Sequence, residues 1–566
     1  MGFGRIILIC LLLAVGGGRL GAGDIMYVNP GPKAIQTAID AADDGDTIVV
    51  GVGTYYENIN FRGKGIILTS ADPNDPNSVA STVISGSLYG DPNRASVVTF
   101  NSGEGNDSEL RGFTICGGSG TWLVISWHLH EPYWNRCGGG VVCYNMSEPT
   151  ISKNVFRDNI AGQGGGVYVY GDPVDFFYPR NPAVHVKPII LSNTFINNSA
   201  VINHGFAPPD GNYPAADHGD GGAIVGFQGC DAVIVGNVIR NNHADKYGGG
   251  IHLRQWSNGQ IGQNQIIGND STLGAGIHIT YNSSPDILDN LIEANVTPGD
   301  AAAVYVYFYS NPLVERNIIT LNDGKFTAGI GAYWSSIPLI RNNLIYKNYG
   351  LGIYYTGAAA PVITNNTISE NFSDSAPKGG LSGGIRCWGT GVGVIENNII
   401  ASNQGGQGIR VNINGTLPIV RYNDVWGNGE GNYGGDLPDQ TGINGNISVE
   451  PNFAASDAND YHLSYASLCI NAGDPAFVGL GLGDIDSEPR RMGLYVDLGA
   501  DEFVPRPWAD ITGDGIVDYL DLHILAQKWL RTGDQAGDLN YDRTVDGRDF
   551  ALLAADWLEE ADGNEP

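Results

Sequence analysis

The sequence predicts an all-β solenoid, a parallel β-helix of short stacked strands, followed by a small all-α module with acidic loops. Three observations predict it: a phased pair of asparagines, a small residue at a fixed distance before them, and a change of composition after residue 504. Ten leading asparagines, Asn154, Asn193, Asn237, Asn264, Asn290, Asn317, Asn343, Asn366, Asn398 and Asn423, each have another Asn five residues on. An apolar side chain lies two residues after each leader, as in Phe156, Ile239, Ile319 and Ile400. Self-similarity at a fixed period marks a repeat architecture.

The second landmark is Gly or Ala followed by Val or Ile, as in Gly140-Val141, Gly250-Ile251, Ala303-Val304 and Gly384-Ile385. Its step to the leading Asn is 14 in eight of the ten units, and unit length is mostly 23 to 27. Helical repeats run longer and carry a 3.6-residue period. Here the segments are short, β-branched and alternating, bounded by Gly and Asn. Such strands, repeating in one direction, stack as coils that each rise about 4.8 Å. The Asn is expected at a tight bend, where it tolerates left-handed backbone and its amide bonds to the Asn above and below. The small residue is expected at a corner where no Cβ fits. Both roles are structural.

These Asn-x-[Ile/Val/Phe] units resemble the repeats of the right-handed parallel β-helix, pectin-lyase-like superfamily. The stretch Ala34-Ile35-Gln36-Thr37-Ala38-Ile39-Asp40-Ala41-Ala42, then Gly45–Val50 and Gly53–Tyr56, resembles the entry to such domains. The resemblance implies a short amphipathic helix capping the open end of the stack, and a β-helix domain over residues 24–503. It is specific for fold and weak for chemistry, since the superfamily holds lyases, hydrolases, epimerases and plain binders.

Residues 1–23 read as a secretory signal: Arg5, an apolar run over Ile6–Val15, and small residues at the cleavage site. No second apolar run is long enough to span a bilayer, so the expected product is exported and carries no transmembrane segment. With 60 acidic against 30 basic residues the net charge is −30, which disfavours nucleic-acid binding. Cys116, Cys137, Cys143, Cys230, Cys387 and Cys469 include no CxxC pair, so a zinc site is not expected. One disulfide among the first three, or buried free thiols with Cys143 and Cys387 facing inward, are both compatible with the spacing.

After a stiff linker, 504–508, residues 510–566 hold 14 acidic and 4 basic side chains. Two segments 28 residues apart place oxygen ligands at positions 1, 3, 5, 7, 9 and 12 of a calcium loop. The first offers Asp510, Thr512, Asp514, the Ile516 carbonyl, Asp518 and Asp521; the second Asp538, Asn540, Asp542, the Thr544 carbonyl, Asp546 and Asp549. Helices are expected over Leu520–Leu530 and Asp549–Leu558. Asp at position twelve and the duplicated loop–helix plan resemble a type I dockerin, which implies bound calcium and docking onto a cohesin domain of a scaffold or surface protein. Thr512 is a weaker ligand than Asn or Asp, and Arg543 replaces the turn glycine, at a cost of about 1 kcal/mol if left-handed backbone is required. The family's recognition positions would be Tyr519-Leu520 and Gly547-Arg548. Calcium within the β-helix has no residue pattern behind it.

Side chains alternate along a strand. Counted from the small corner residue, positions one and three face inward, two and four outward. Of the twenty outward positions in ten units, nine are aromatic, five are His or Arg, and none is acidic. Columns of rings and cations suit an extended sugar polymer, rings stacking on sugar faces and cations pairing with carboxylates or sulfates. The expected substrate-binding residues are Tyr168, Tyr170, Phe227, Tyr307, Tyr333, Arg386, Trp388 and Arg410. Insertions at Ser119–Arg136 and Ala200–Asp220 leave the stack just before this strand and are expected to wall it; a third, Gly171–Pro188, follows it.

The expected reaction is β-elimination on a uronate-containing polymer, which needs a base at the sugar C5 and a cation on the carboxylate. His252, Arg254 and His278 on adjacent coils are the candidates, with Tyr305 as the acid. A hydrolase would need carboxylates such as Glu131, Asp217 or Asp220 to reach in from loops. A non-catalytic glycan-binding or surface-assembly protein is the third reading.

Overall fold

A computed structural model describes residues 6–8, 23–88, 90–125, 132–171, 184–202, 208–209, 218–372, 383–413, 415–477, 483–503, 509–512, 514, 516–531, 537–539 and 544–557. Apart from Ile6–Leu8 and Gly23, the expected leader lies outside this set, as does the 504–508 linker. The body is built from three parallel sheets. One has fifteen strands and another thirteen. The third runs through Val141–Cys143, Val167–Tyr170, Ile224–Phe227, Ile251–Arg254, Ile277–Thr280, Val304–Tyr307 and onward to Tyr433–Gly435. The pairing is in register from coil to coil: Ile251 faces Ile277, which faces Val304.

Apolar columns fill the interior, one from each of the first two sheets, such as Ile234, Ile261 and Ile287 and Ile239, Ile266 and Ile292, and two from the third, such as Ile251 with Ile277 and Leu253 with Ile279. Each is fully buried, and each such side chain contributes about 1.5–3 kcal/mol. Cys143, Cys230 and Cys387 join the same core, and no disulfide links any two of the six described cysteines.

The asparagines are buried in two continuous ladders. Asn264 Nδ2 donates to Asn290 Oδ1 (2.9 Å) on the next coil and to the Ile234 carbonyl (2.9 Å) on the coil before, while Asn264 N–H donates to the same Oδ1. Asn269 repeats this with Asn295 and Ile239. The leading ladder runs one unit beyond the ten repeats, to Asn446. The left-handed bend, however, is not at these asparagines. It falls one residue earlier, at Lys153, Ser192, Gln263, Asp289, Arg316 and Tyr422, and at Asp158, Ala294, Leu321 and Lys347. The Asn follows the bend, points inward, and bonds the coils. The amide network makes the bend tolerable for Leu321 or Tyr422, side chains that rarely adopt it.

A helix, α1, over Ala34–Ala41 covers the first coil with Ile35, Ala38 and Ile39. It is pinned at both ends. Glu57 accepts from the Ile35 and Gln36 amides, and the Lys64 ammonium donates to the carbonyls of Ile39, Asp40 and Ala42. Opposite charges at the two helix ends also suit its dipole. At the other end of the stack the pairing reaches Asp424–Ile447. The chain then folds back on the outer face of the second sheet, where Leu463, Cys469 and Leu498 cover Ile399 and Ala401.

The outward strip of the third sheet is not open along its length. Gly120–Ile125 and Tyr133–Cys137 form an antiparallel hairpin over its first coils. Ile125, Tyr133 and Cys137 seal Val142, Tyr168, Tyr170, Val225 and Phe227 into a separate apolar cluster. The insertion is therefore a cover, not a side wall, and Tyr168, Tyr170 and Phe227 are packing residues beneath it. From Ile251 onward the strip opens.

Candidate functional site

A cavity of about 510 Å³ lies where the cover ends. Its floor is the outward register of three successive strands: His252 and Arg254, then His278 and Thr280, then Tyr305 and Tyr307. Lys246 and Tyr247 border it on the side that precedes the corner, beside His218. Tyr281 and Trp334 border it on the side where the strands end. There each strand runs into two consecutive left-handed residues, such as Gln255-Trp256, Tyr281-Asn282 and Trp334-Ser335. A buried serine ladder closes these turns: Ser257 N–H donates to Ser283 Oγ (3.2 Å), and Ser257 Oγ to the Arg254 carbonyl (2.8 Å).

The four residues expected to be catalytic are brought together. His252 and His278 stack with ring centroids 4.6 Å apart and 18° between planes, and Tyr305 meets His278 edge-on at 4.8 Å. Both imidazoles are almost fully buried, and none of their four ring nitrogens finds a hydrogen-bond partner among the described residues. Burial holds His278 down to about 3 and His252 well below its ordinary value, and the neighbouring Arg254 guanidinium adds to both. Both are neutral at neutral pH. Burial pushes the Tyr305 phenol well up, so it keeps its proton.

Arg254 is fixed by Asp220: its Nη1 donates to Oδ2 at 3.2 Å, both groups are buried, and the guanidinium lies 4.8 Å over the Phe227 ring. Gln163 Nε2 donates to the same carboxylate oxygen (3.2 Å). Burial pushes Asp220 up to about 6 against the pull of Arg254. Asp220 is thus a positioning partner for Arg254, not a carboxylate reaching over the groove. Glu131 and Asp217 lie outside the described residues.

Further along the same face a second cavity, about 420 Å³, is lined by Asp300, Phe326, Tyr333, Tyr354, Arg386 and Trp388. Tyr305 and Tyr333, stacked at 4.5 Å, form the ridge between the two. Gly331 makes the ridge possible, since a Cβ there would meet the Tyr333 ring at 2.6 Å. Of the residues expected to bind substrate, Tyr307 faces the first cavity and Tyr333, Arg386 and Trp388 the second; Arg410 stands in register one coil beyond Arg386.

Lys246, Tyr247, Tyr281 and Trp334 were not expected. They sit just before the corner or just after position four, outside the two columns that strand alternation selects. The signal available was the aromatic at position five of successive units, Tyr281, Phe308 and Trp334.

The acidic module folds around two helices, α2 over Tyr519–Lys528 and α3 over Gly547–Ala555, each starting one or two residues before its expected first residue. Val517, Leu525, Val545 and Leu553 form their shared core. In the first loop Asp510 Oδ1 accepts from Thr512 Oγ1 (3.1 Å) and from the Asp514 amide (3.2 Å). Asp521 closes the loop by accepting from the Thr512 and Asp518 amides, and Asp549 does the same with Leu539 and Asp546. Asp518 and Asp546 cap the two helices. Asn540, Asp542 and Arg543 lie outside the described residues. The donors are all oxygen, the set a hard cation takes. In the body, oxygens of Asp484, Asp486, Glu488 and Asp501 also converge, but backbone amides engage both oxygens of Asp484 and one of Asp501. That group closes a loop.

Residues 128–336, 223–398 and 299–453 match the family model described as the right handed beta helix region, more than half of the sequence in all, so the chain belongs to that family. Residues 508–558 match the dockerin type I domain. No curated protein matches. Among solved structures, the chain is similar to pectate lyase Pel9A at 13% identity, covering 85% of this chain and 97% of that one with a TM-score of 0.27. It is also similar to the A-module of the mannuronan C-5 epimerase AlgE4 from Azotobacter vinelandii, at 14% identity, 76% and 98% coverage, and a TM-score of 0.26. No helix among the described residues is long and apolar enough to cross a membrane.

Proposed function

We propose that this is an exported polysaccharide lyase that cleaves a uronate-containing polymer by β-elimination and is held by its dockerin to a cohesin-bearing partner. One observation carries the reading: two stacked, neutral, buried histidines leave four ring nitrogens without protein partners in a cavity that also presents a fixed arginine and protonated tyrosines. A buried polar group left unpaired costs about 1–3 kcal/mol, and a polyhydroxylated ligand relieves that cost.

Arg254, held by Asp220, faces the uronate carboxylate and lowers the energy of the carbanion at C5. A neutral imidazole, His278 beside Tyr305, accepts the C5 proton. The C–H electron pair becomes the C4–C5 double bond, the C4–O bond breaks, and Tyr305 gives its proton to the leaving oxygen. His252, stacked on His278, accepts or donates hydrogen bonds to sugar hydroxyls. Hydrolysis is less well served, because the first cavity's lining includes no carboxylate and the second's only Asp300, among the described residues. In the C-terminal module, Asp510, Thr512, Asp514, Ile516, Asp518 and Asp521 would hold one calcium, and Asp538, Thr544, Asp546 and Asp549 four positions of a second.

The test is incubation with pectate and alginate, reading unsaturated-uronate absorbance. Wild type should form the product, and His278→Gln and Tyr305→Phe should each lower the rate by about a hundredfold or more. New reducing ends without absorbance would replace the lyase with a hydrolase. Retention of the polymer with neither signal would leave a binding protein.

A further inference from the structure

In a chain with twice as many acids as bases, half of the described arginines of the body pair with a carboxylate: Arg62 meets Asp40, Arg111 Glu109, Arg157 Asp158, Arg254 Asp220, Arg316 Asp289, Arg341 Glu315 and Arg421 Glu396. Arg386 and Arg410 do not. They occupy the same outward position on adjacent coils, paired in register. Arg410 donates only to neutral acceptors, Gln407 Oε1 and Asn412 Oδ1, both at 3.0 Å. Arg386 is 7% exposed, its guanidinium lies 5.2 Å over the Trp388 ring, and its Nε has no partner. Burial and the charge of Arg410 both disfavour its protonated form.

Two like charges side by side, one nearly buried and neither paired with a carboxylate among the described residues, are unfavourable unless an anion completes them. The cavity that Arg386 borders, one coil before Arg410, is open to solvent beside Trp388, whose ring is half exposed. Its one acid, Asp300, has Oδ1 taken by the Ala301 and Thr327 amides.

We infer that Arg386, Arg410 and Trp388 form a second, anion-reading subsite that takes a carboxylate or sulfate group of the same glycan, its sugar ring stacked on the indole. Resting on the proposed groove, this makes the substrate an acidic polymer over several consecutive residues. His278 pairs with Tyr305, then Gly331, Tyr354 and Arg386, so the two sites are four coils apart, about 19 Å. A short oligomer fills one site, and only a longer one reaches both.

The full mature chain and its Arg386→Gln and Arg410→Gln variants are titrated calorimetrically with pectate and alginate, with a sulfated galactan, and with carboxyl-reduced pectate. Each variant should bind the acidic polymer at least about tenfold more weakly, the loss of a charge-assisted contact, and the neutral polymer should bind poorly to all. Arg386→Lys should recover part of the affinity. Preference for pectate or alginate identifies the anion as carboxylate, preference for the galactan as sulfate. Variants as tight as wild type, equal binding of reduced pectate, or no acidic polymer bound by wild type would overturn the subsite. If instead the arginine variants weaken binding while wild type forms no unsaturated-uronate product, the subsite stands and the lyase reading falls.

Discussion

The imidazole of His252 lies almost parallel to that of His278 on the next coil, 4.6 Å away, and both are shut from bulk water. A parallel β-helix produces this pairing without further design, because side chains at one register position repeat at the strand spacing. The protein holds two uncharged, unpartnered imidazoles where two leucines would pack without loss.

That arrangement has a consequence for pH. An unfolded histidine titrates near 6.5, whereas the folded protein keeps His278 near 3 and His252 well below normal. As pH falls below about 6.5 the unfolded chain takes up protons that the folded chain refuses. Each histidine then removes up to about 1.4 kcal/mol of stability per pH unit until its folded pKa is reached. The double variant His252→Leu, His278→Leu should therefore melt at or above wild type at neutral pH, with the gap widening as pH falls toward 4 to 5. A gap independent of pH in calorimetry would contradict the neutral, buried assignment.

The ladders predict a large local effect. Asn295→Ala removes the acceptor for the Asn269 amide and side chain and the donor to the Ile266 carbonyl. With these groups buried, the loss should be about 2–4 kcal/mol, read as a shift of the denaturant midpoint. Arg240→Ala, exposed on a neighbouring strand of the same sheet, should stay within about 0.5 kcal/mol. Equal shifts would mean that the amide ladder adds nothing beyond strand pairing.

Calcium removal should act on the module alone. Chelation leaves the carboxylates of the first loop facing one another with only amide hydrogen bonds to hold them, and the small core around Leu525 and Leu553 is too little to resist. Trypsin should then cut at Lys528 and Arg531, while the coils stay intact. A chelated chain uncut at both positions, by mass spectrometry, would contradict calcium-dependent folding.

The repeat was legible because its landmarks are chemically demanding: only Asn offers a short side chain with the donor and acceptor that join three coils. The bend itself was misplaced by one residue, since it precedes the Asn and the network lets even Leu321 or Tyr422 adopt left-handed backbone there. Inward and outward faces followed from alternation, which brought His252, His278, Tyr305 and Arg254 together correctly. Exposure did not follow, because Tyr168 and Phe227 look the same in sequence as Tyr307 and Trp388. What separates them is the hairpin Gly120–Cys137, a contact between segments with no repeat to announce it. The cavity's edges, Lys246 and Trp334, lie outside the two columns that strand alternation selects.

The serine and asparagine ladders have one more implication. From Asn154 onward successive coils join through the same asparagine bonds, so the molecule is graduated, with each turn advancing the groove by about the length of one sugar. A duplicated or deleted turn would alter the span between the two cavities in whole increments and leave the hydrophobic interior continuous. The scaffold is in that sense a ruler for a polymer, and the number of turns between His278 and Arg386 is the reading it returns.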